Sequence, residues 1–421
     1  MTHVVILGGG FGGLQAARAL ARAPLRVTLI DQHNHHLFQP LLYQVATAGL
    51  AVTDIAVPLR HVVRKQANTT VLLARARAID AARRTVVLED GELAYDHLIV
   101  ATGAVGHWFG HDEWAEHALG LKDCRDALAI RSRILLAFEA AERSADEAER
   151  ARLLTFAVIG GGPTGVELAG ALAEIARVTL ARDFRRFDPG SARVFLVEAG
   201  PRLLPAFSEP LARAAAAELA RLGVELRTGA PVTAIDAHGI ELGSPSAPAR
   251  ERIPAATVLW AAGVRASPLA GTLGAPLDRA GRVRVAPDLS VPGRPEIQVI
   301  GDAAAVPWPG GAPERTVPGM CPGAMQMGRH AARNVLRATR GEPSLAFVFR
   351  DKGSLATIGR SSAVAQLGRF SSSGLVAWLL WVFVHVFYLI GYRNRFAVLF
   401  EWAWLYLTRQ RGARVILERE R

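Results

Sequence analysis

The sequence predicts an α/β protein made of two units of parallel β-sheet flanked by helices, the second inserted in the first. Apolar amphipathic helices are expected to follow at the C-terminal end. Three observations predict this. Val4-Val5-Ile6-Leu7 runs directly into Gly8-Gly9-Gly10-Phe11-Gly12-Gly13. Phe156-Ala157-Val158-Ile159 runs in the same way into Gly160-Gly161-Gly162-Pro163-Thr164-Gly165. Nearly every residue from Leu375 to Ile390, and again from Phe396 to Leu407, is apolar. A short apolar run closed by a glycine turn reads as a strand buried on both faces. The expected boundaries are 1–120 with 265–345 for the first unit, 150–264 for the second and 346–421 for the tail.

Composition bounds the function class. The chain has 421 residues, half of them hydrophobic and 21% charged, enough for two or three domains with a large core. The formal net charge of +11 comes largely from scattered arginine, not from basic blocks. Such a balance suits nucleic acid or an anionic membrane surface. No zinc-finger, RNP or basic-helix pattern is present, so no nucleic-acid partner is expected. Cys124 and Cys321 are far apart and form no CxxC, which argues against a disulfide framework or a zinc site and fits a reducing compartment. The chain enters a strand at once, so no secretory leader is expected.

Gly8, Gly10 and Gly13 fit the G-x-G-x-x-G spacing. The first glycine allows a tight turn, the second admits a pyrophosphate to the backbone, and the third lets helix pack on strand. The helix after it offers its positive N-terminal end to the phosphates. A second strand, Leu25 to Ile30, ends at Asp31, placed to accept from a ribose hydroxyl. This is the Rossmann-like dinucleotide unit. In the following loop His33, His35 and His36 tempt a metal reading. They have no i, i+4 pair and no carboxylate cluster, so a loop over the dinucleotide is preferred to a metal site. Val71 to Ala78 and Thr85 to Leu88 read as a small antiparallel sheet with its turn at Asp90-Gly91. Leu98 to Ala101 is another buried strand, ending in Thr102-Gly103, where the backbone can pass close to a ligand.

Residues 122–152 read as one long helix. The second glycine turn opens a helix from Val166 to Ala176, and a strand from Val194 leads to Glu198, 33 residues after Gly165. The excess over the usual ~20 lies in the charged excursion Arg177 to Arg193. Two such units imply two dinucleotides bound at once. Leu211 to Leu222 is a helix, with strands at 224–227 and 232–235. Thr257 to Gly263 repeats the strand-to-small-residue pattern. Ile297 to Ile300 leads to Gly301-Asp302, where a carboxylate can accept from the hydroxyls of a ribityl chain. Residues 322–338 form a helix with Pro322 in its first turn, where a missing N–H does no harm.

The first apolar run of the tail has 16 residues, at or below the ~17–25 needed to cross a bilayer. The second is shorter and carries Glu401. Helices lying in the lipid interface are therefore preferred to a spanning hairpin or a soluble dimer seat, with tryptophans at headgroup depth and Arg409, Arg411 and Arg414 toward anionic lipid. Trp378, Trp381, His385, Tyr388 and Tyr392 are expected to form one aromatic stripe on the first helix.

The two-motif layout resembles the two-dinucleotide flavoproteins of the pyridine nucleotide–disulfide reductase type, without their redox CxxxxC. Phe38-Gln39-Pro40-Leu41-Leu42-Tyr43-Gln44-Val45-Ala46-Thr47, Gly162-Pro163-Thr164-Gly165-Val166-Glu167-Leu168-Ala169, Trp260-Ala261-Ala262-Gly263-Val264-Arg265, Val299-Ile300-Gly301-Asp302 and the tail's His385 to Arg395 together resemble type II NADH dehydrogenases. These are single-subunit NADH:quinone oxidoreductases. The resemblance implies hydride transfer from NADH to FAD, then two electrons to a membrane quinone, without proton pumping. It implies FAD contacts from Gly8, Gly10, Phe11, Gly12, Gly13, Asp31, Gln32, Gln44, Thr47, Ala76, Thr102, Gly103, Asp302, Cys321 and Pro322. It implies NADH contacts from Gly160, Gly162, Thr164, Gly165, Glu198 and Gly263, and no metal.

Glu167 corresponds to a proton-relay glutamate and Gln326 to a glutamine beside flavin and quinone; both are expected to be catalytic. The family's Ala-Gln-x-Ala-x-Gln motif departs here, with Pro322 in place of its first glutamine. A homodimer attached peripherally to the cytoplasmic face of the cell membrane is implied. Glu198 should favour NADH over NADPH, although Arg202 nearby could offset it. The alternatives are a sulfide:quinone oxidoreductase, which needs redox cysteines such as Cys321, and a slow NADH-sensing membrane flavoprotein.

Overall fold

The computed structural model describes residues 1–244, 247–308 and 315–416. The chain forms two compact units, one of Met1–Leu37, Ala56–Val105 and Val264–Lys352, the other of Phe38–Ile55, Gly106–Gly263 and Gly353–Arg421. The long segment of the second unit interrupts the first, so the inserted arrangement is present. The cuts fall at other places than those expected: residues 38–55, 106–120 and the tail all belong to the second unit.

The first unit holds a six-stranded sheet in the order Ser290–Val291, Arg294–Val299, His97–Val100, His3–Leu7, Arg26–Asp31, Thr69–Leu73. All neighbours are parallel except the first pair. Val4 to Leu7 lie at its centre and are fully buried, which is why the run is apolar without alternation. Helix Phe11–Ala19 covers the sheet and packs on helix Cys321–Ala338; Gly328 has no room for a Cβ against the Gly12 carbonyl. The small antiparallel sheet consists of Ala76–Asp80, Thr85–Leu88 and Glu92–Ala94. Val71 to Leu73 do not join it, contrary to expectation. They pair in parallel with Leu29 to Asp31, because an alternating run suits either kind of sheet.

The second unit has a five-stranded, all-parallel sheet in the order Ala118–Gly120, Thr257–Trp260, Thr155–Ile159, Arg193–Glu198, Val224–Thr228. The expected single helix at 122–152 is two, Cys124–Arg143 and Glu147–Leu153. Ser144 turns extended, and Asp146 restarts the helix by accepting from Ala148 N at 2.8 Å. The excursion after residue 177 brings Phe184 and Phe187 to stack on Phe138 of the longer helix. An antiparallel sheet of Ser354–Gly359, Ser362–Leu367 and Phe370–Gly374 lies on helix Pro163–Glu174. Gly170 makes this approach possible, since a Cβ there would strike the Ile358 carbonyl.

The tail forms two helices, Leu375–Tyr388 and Tyr392–Thr408. Among the described residues no helix is long and apolar enough to cross a membrane. The expected aromatic stripe is corrected in two ways. Tyr392 begins the second helix, and the stripe faces protein, not headgroups. Trp381 is 2% exposed, stacks on His385 at 4.2 Å and meets Trp402 at 5.2 Å. The exposed face carries Leu375, Val376, Leu379, Phe383 and Phe387, continued by Phe396, Phe400, Trp404 and Leu407 on the second helix. Helical spacing says which residues share a face. It cannot say what that face meets when the opposite one is equally apolar. Asn394 ties the second helix down by donating to the carbonyls of Thr53 at 3.0 Å and Asp54 at 2.8 Å. Of the three arginines expected to reach lipid, Arg411 is buried against Glu174 and Arg414 pairs with Asp183.

Candidate active site

The two glycine turns are built alike. Gly8 N donates to the Ile30 carbonyl at 2.8 Å and Gly160 N to that of Val197 at 2.8 Å. Gly8 (φ +102°) and Gly160 (φ +111°) adopt a backbone conformation that favours glycine. A Cβ on Gly13 or Gly165 would collide with the carbonyl of Gly8 or Gly160. Gly10 and Gly162 instead face open space, and the helices they begin carry no side-chain cap. Uncapped first-turn amides beside an open cradle are what a pyrophosphate needs, so each unit fits a dinucleotide.

The acids at the strand ends have a second task that the sequence did not reveal: they hold the turns. Asp31 accepts from Gly9 N at 2.6 Å and from His33 N at 2.7 Å. Glu198 accepts from Gly161 N at 2.7 Å and Gly200 N at 2.6 Å. Each carboxylate keeps lone pairs for a ribose.

In the first unit Gln32 is exposed next to Asp31, and Phe11 lies edge-on to the buried His36, which bonds the Gly9 carbonyl at 3.0 Å. Thr102 precedes Gly103 and keeps a buried hydroxyl that has no partner among the described residues. Ala76 starts the small sheet, half-buried. Asp302 lies on the turn Gly301–Ala303 and crowds Gly319. The helix at Cys321 also starts without a side-chain cap, with Pro322 in its first turn. Gln326 is occupied: its amide donates to the carbonyls of Pro322 at 3.1 Å and Arg350 at 2.9 Å and accepts from Arg350 N at 3.0 Å.

Gln44 and Thr47, expected at the flavin, lie in the second unit and line a cleft of about 590 Å³ including its mouth. Thr164 and Gly165 open the helix that carries Glu167 to the cleft wall. Glu174, two turns further on the same face, also lines it. Trp378, Trp381, Trp402 and Tyr406 give the wall its aromatic character. Burial pushes the Glu167 carboxyl up to about 8, opposed only by a long 3.5 Å bond from Thr357 N. It is therefore mostly protonated at neutral pH. Glu174 is also raised by burial, and Arg411 opposes that rise at 3.1 Å. Arg411, 5% exposed, donates further to the Thr47 carbonyl at 2.7 Å. Gly263, at the end of the strand Thr257–Trp260, has no room for a Cβ beside the His107 carbonyl and the Phe109 ring.

Sequence reasoning missed Tyr43, Glu174, Trp402 and Arg411. The spacing of Glu174 from Glu167 was a usable signal. Arg411 gave none, because its partners lie more than two hundred residues away.

Fold and cradles define the class, a two-dinucleotide oxidoreductase. Residues 2–328 match the pyridine nucleotide-disulphide oxidoreductase family and residues 352–410 the NDH2 C-terminal domain. The chain is 46% identical to the type II NADH:quinone oxidoreductase Ndh of Mycobacterium tuberculosis, over 99% of this chain and 91% of that one. Its fold is similar to that of NDH2 from Plasmodium falciparum in complex with NADH (TM-score 0.90, 20% identity, covering 99% and 100% of the two chains). The sulfide:quinone oxidoreductase of Aquifex aeolicus shares the fold at a TM-score of 0.73 (21% identity, covering 94% and 92%). The chain belongs to the type II NADH:quinone oxidoreductases.

Proposed function

We infer that this chain is an FAD-dependent NADH:quinone oxidoreductase that pumps no protons, and that its quinone is held in the cleft of the second unit. Bound FAD supplies the two-electron chemistry, as hydride acceptor from NADH and electron donor to the quinone. The first unit binds it through the amides after Gly10, Asp31 and the small residues at Thr102-Gly103. The amides of Thr164 and Gly165 bind NADH, since Pro163 has no N–H to offer. Glu198 accepts from the ribose 2′-OH and repels a 2′-phosphate. The Arg202 guanidinium is tied to the carbonyls of Phe207 and Pro205, both at 2.9 Å, so it is not free to clamp such a phosphate.

Reduction of a quinone consumes two protons. Glu167 supports the reading most: a carboxyl held protonated in an aromatic cleft, one turn into the helix that starts at the nucleotide cradle. In our reading it delivers a proton to the acceptor, while Gln326 fixes the start of its own helix against Arg350. The apolar outer faces of the tail helices support a peripheral seat on lipid, and the family resemblance supports a homodimer on the cytoplasmic face. A sulfide reaction would call for ready thiolates. Cys124 is a poor one, its thiol pushed up to about 11 by burial and by Asp123 and Asp126.

Anaerobic titration of the purified protein with NADH, followed by a quinone pulse, tests the function. The flavin spectrum should bleach with NADH and return with quinone in one rapid phase. Bleaching without return would remove the quinone assignment, and slow return with every quinone tried would favour an NADH-sensing flavoprotein.

A further inference from the structure

The second tail helix determines which way a buried phenol can donate. Trp402 Nε1–H donates to Gln44 Oε1 at 2.7 Å, and Gln44 Nε2–H donates to Tyr43 Oη at 2.8 Å. An indole N–H only donates, so it holds the amide with its oxygen toward Trp402 and its nitrogen toward Tyr43. The flipped amide would set N–H against N–H. Tyr43 Oη is thus an acceptor on the Gln44 side, and its own hydrogen must go elsewhere. No acceptor among the described residues takes it. All three side chains line the cleft. Tyr43 is 5% exposed, and burial, joined by the nearby Glu167 once that group ionises, holds its phenol well above the usual range, so it remains a neutral donor.

We propose that Tyr43 is a catalytic residue of the acceptor site: its hydroxyl donates a hydrogen bond to a ring oxygen of the bound quinone, and Trp402 with Gln44 fixes that direction. This rests on the cleft being the acceptor site. A quinone oxygen only accepts hydrogen bonds, and negative charge grows on it as electrons arrive. A preset donor therefore helps the reduction more than it helps binding. Gln44 and Trp402 are positioning residues, acting through Tyr43.

The test compares NADH-dependent turnover with a short-chain benzoquinone and with ferricyanide, which takes electrons without such a bond. Tyr43→Phe should lower the benzoquinone-to-ferricyanide turnover ratio about tenfold, mainly in kcat. Gln44→Glu, assayed with the other variants at a pH high enough to ionise the new carboxyl, puts an acceptor-only carboxylate where the amide nitrogen was, so Tyr43 turns its hydrogen back. It should match Tyr43→Phe, and the double variant should lose nothing more. Trp402→Phe frees the amide to flip and should give a smaller drop of the same kind. Leu405→Trp, which narrows the cleft, should raise the benzoquinone KM.

An unchanged KM in Leu405→Trp would overturn the cleft as acceptor site, and this inference with it. A raised KM there with an unchanged ratio in Tyr43→Phe would overturn the inference alone. So would an equal fall with both acceptors accompanied by loss of flavin, which would make Tyr43 a support of the fold. Additive losses in the double variant would overturn the directional role of Gln44.

Discussion

Replacing Glu167 by Gln tests the proton store most sharply. The substitution keeps the shape and removes the ionisation. Burial raises the carboxyl from its ordinary 4.5 to about 8, so at pH 7 about nine in ten molecules hold the proton. The wild-type rate of quinone reduction after NADH reduction should be flat to about pH 7 and fall about tenfold per unit above pH 8. Glu167→Gln should lose that limb and run roughly a hundredfold slower at pH 7. The same shift acts on stability. Between the unfolded and folded values the native state binds more protons than the unfolded one, so wild-type stability falls as pH rises from about 4.5 to about 8. The Gln variant escapes this, and its advantage should grow across that window toward a ceiling of about 5 kcal/mol. Stopped-flow flavin reoxidation and thermal melts, each from pH 5 to 9.5, read both effects. An identical pH limb in the variant, or a stability difference that does not change with pH, would refute the reasoning.

Three further outcomes are expected. Arg411→Met leaves the Glu174 carboxylate without its 3.1 Å partner and should cost about 3 kcal/mol in urea unfolding at pH 8, and less as the pH is lowered, because burial raises the Glu174 carboxyl and a bound proton removes the unpaired charge. The wild type should prefer NADH to NADPH in kcat/KM, and Glu198→Ser should narrow that preference roughly tenfold or more; steady-state rates with both cofactors decide it. Serine at Phe383, Phe387, Phe396 and Phe400 together should abolish co-sedimentation with anionic vesicles, since each exposed ring contributes about 1.5–3 kcal/mol when buried in lipid. The thermal midpoint in detergent should remain in place, because these rings are exposed.

Both nucleotide units were legible because their reasons are local. A strand, a glycine turn and a helix follow one another within about fifteen residues, and each glycine answers to a clash that its neighbours impose. Glu167 was legible only through the resemblance, because its burial comes from a strand almost two hundred residues later, let in by Gly170. The tail misled where two apolar faces compete. Trp381 and His385 turned inward, since ring stacking and Phe38 await them there, while the phenylalanines stayed outside. Arg411 looked like one more basic residue near lipid. Its burial follows from Glu174, on a helix whose pairing with the tail no local pattern announces. The break at Ser144–Asp146 was readable in principle, because Asp146 is a good N-cap ahead of Glu147.

The place of the acceptor is tested most directly by a photoreactive quinone analogue, illuminated on the NADH-reduced protein and mapped by peptide mass. Labels should fall on the cleft wall, in the peptides holding Tyr43 to Gly49 and Trp378 to Arg411, and should fade with excess quinone. Labels confined to the outer phenylalanines of the tail, or to peptides of the first unit, would contradict a quinone seated beside Glu167.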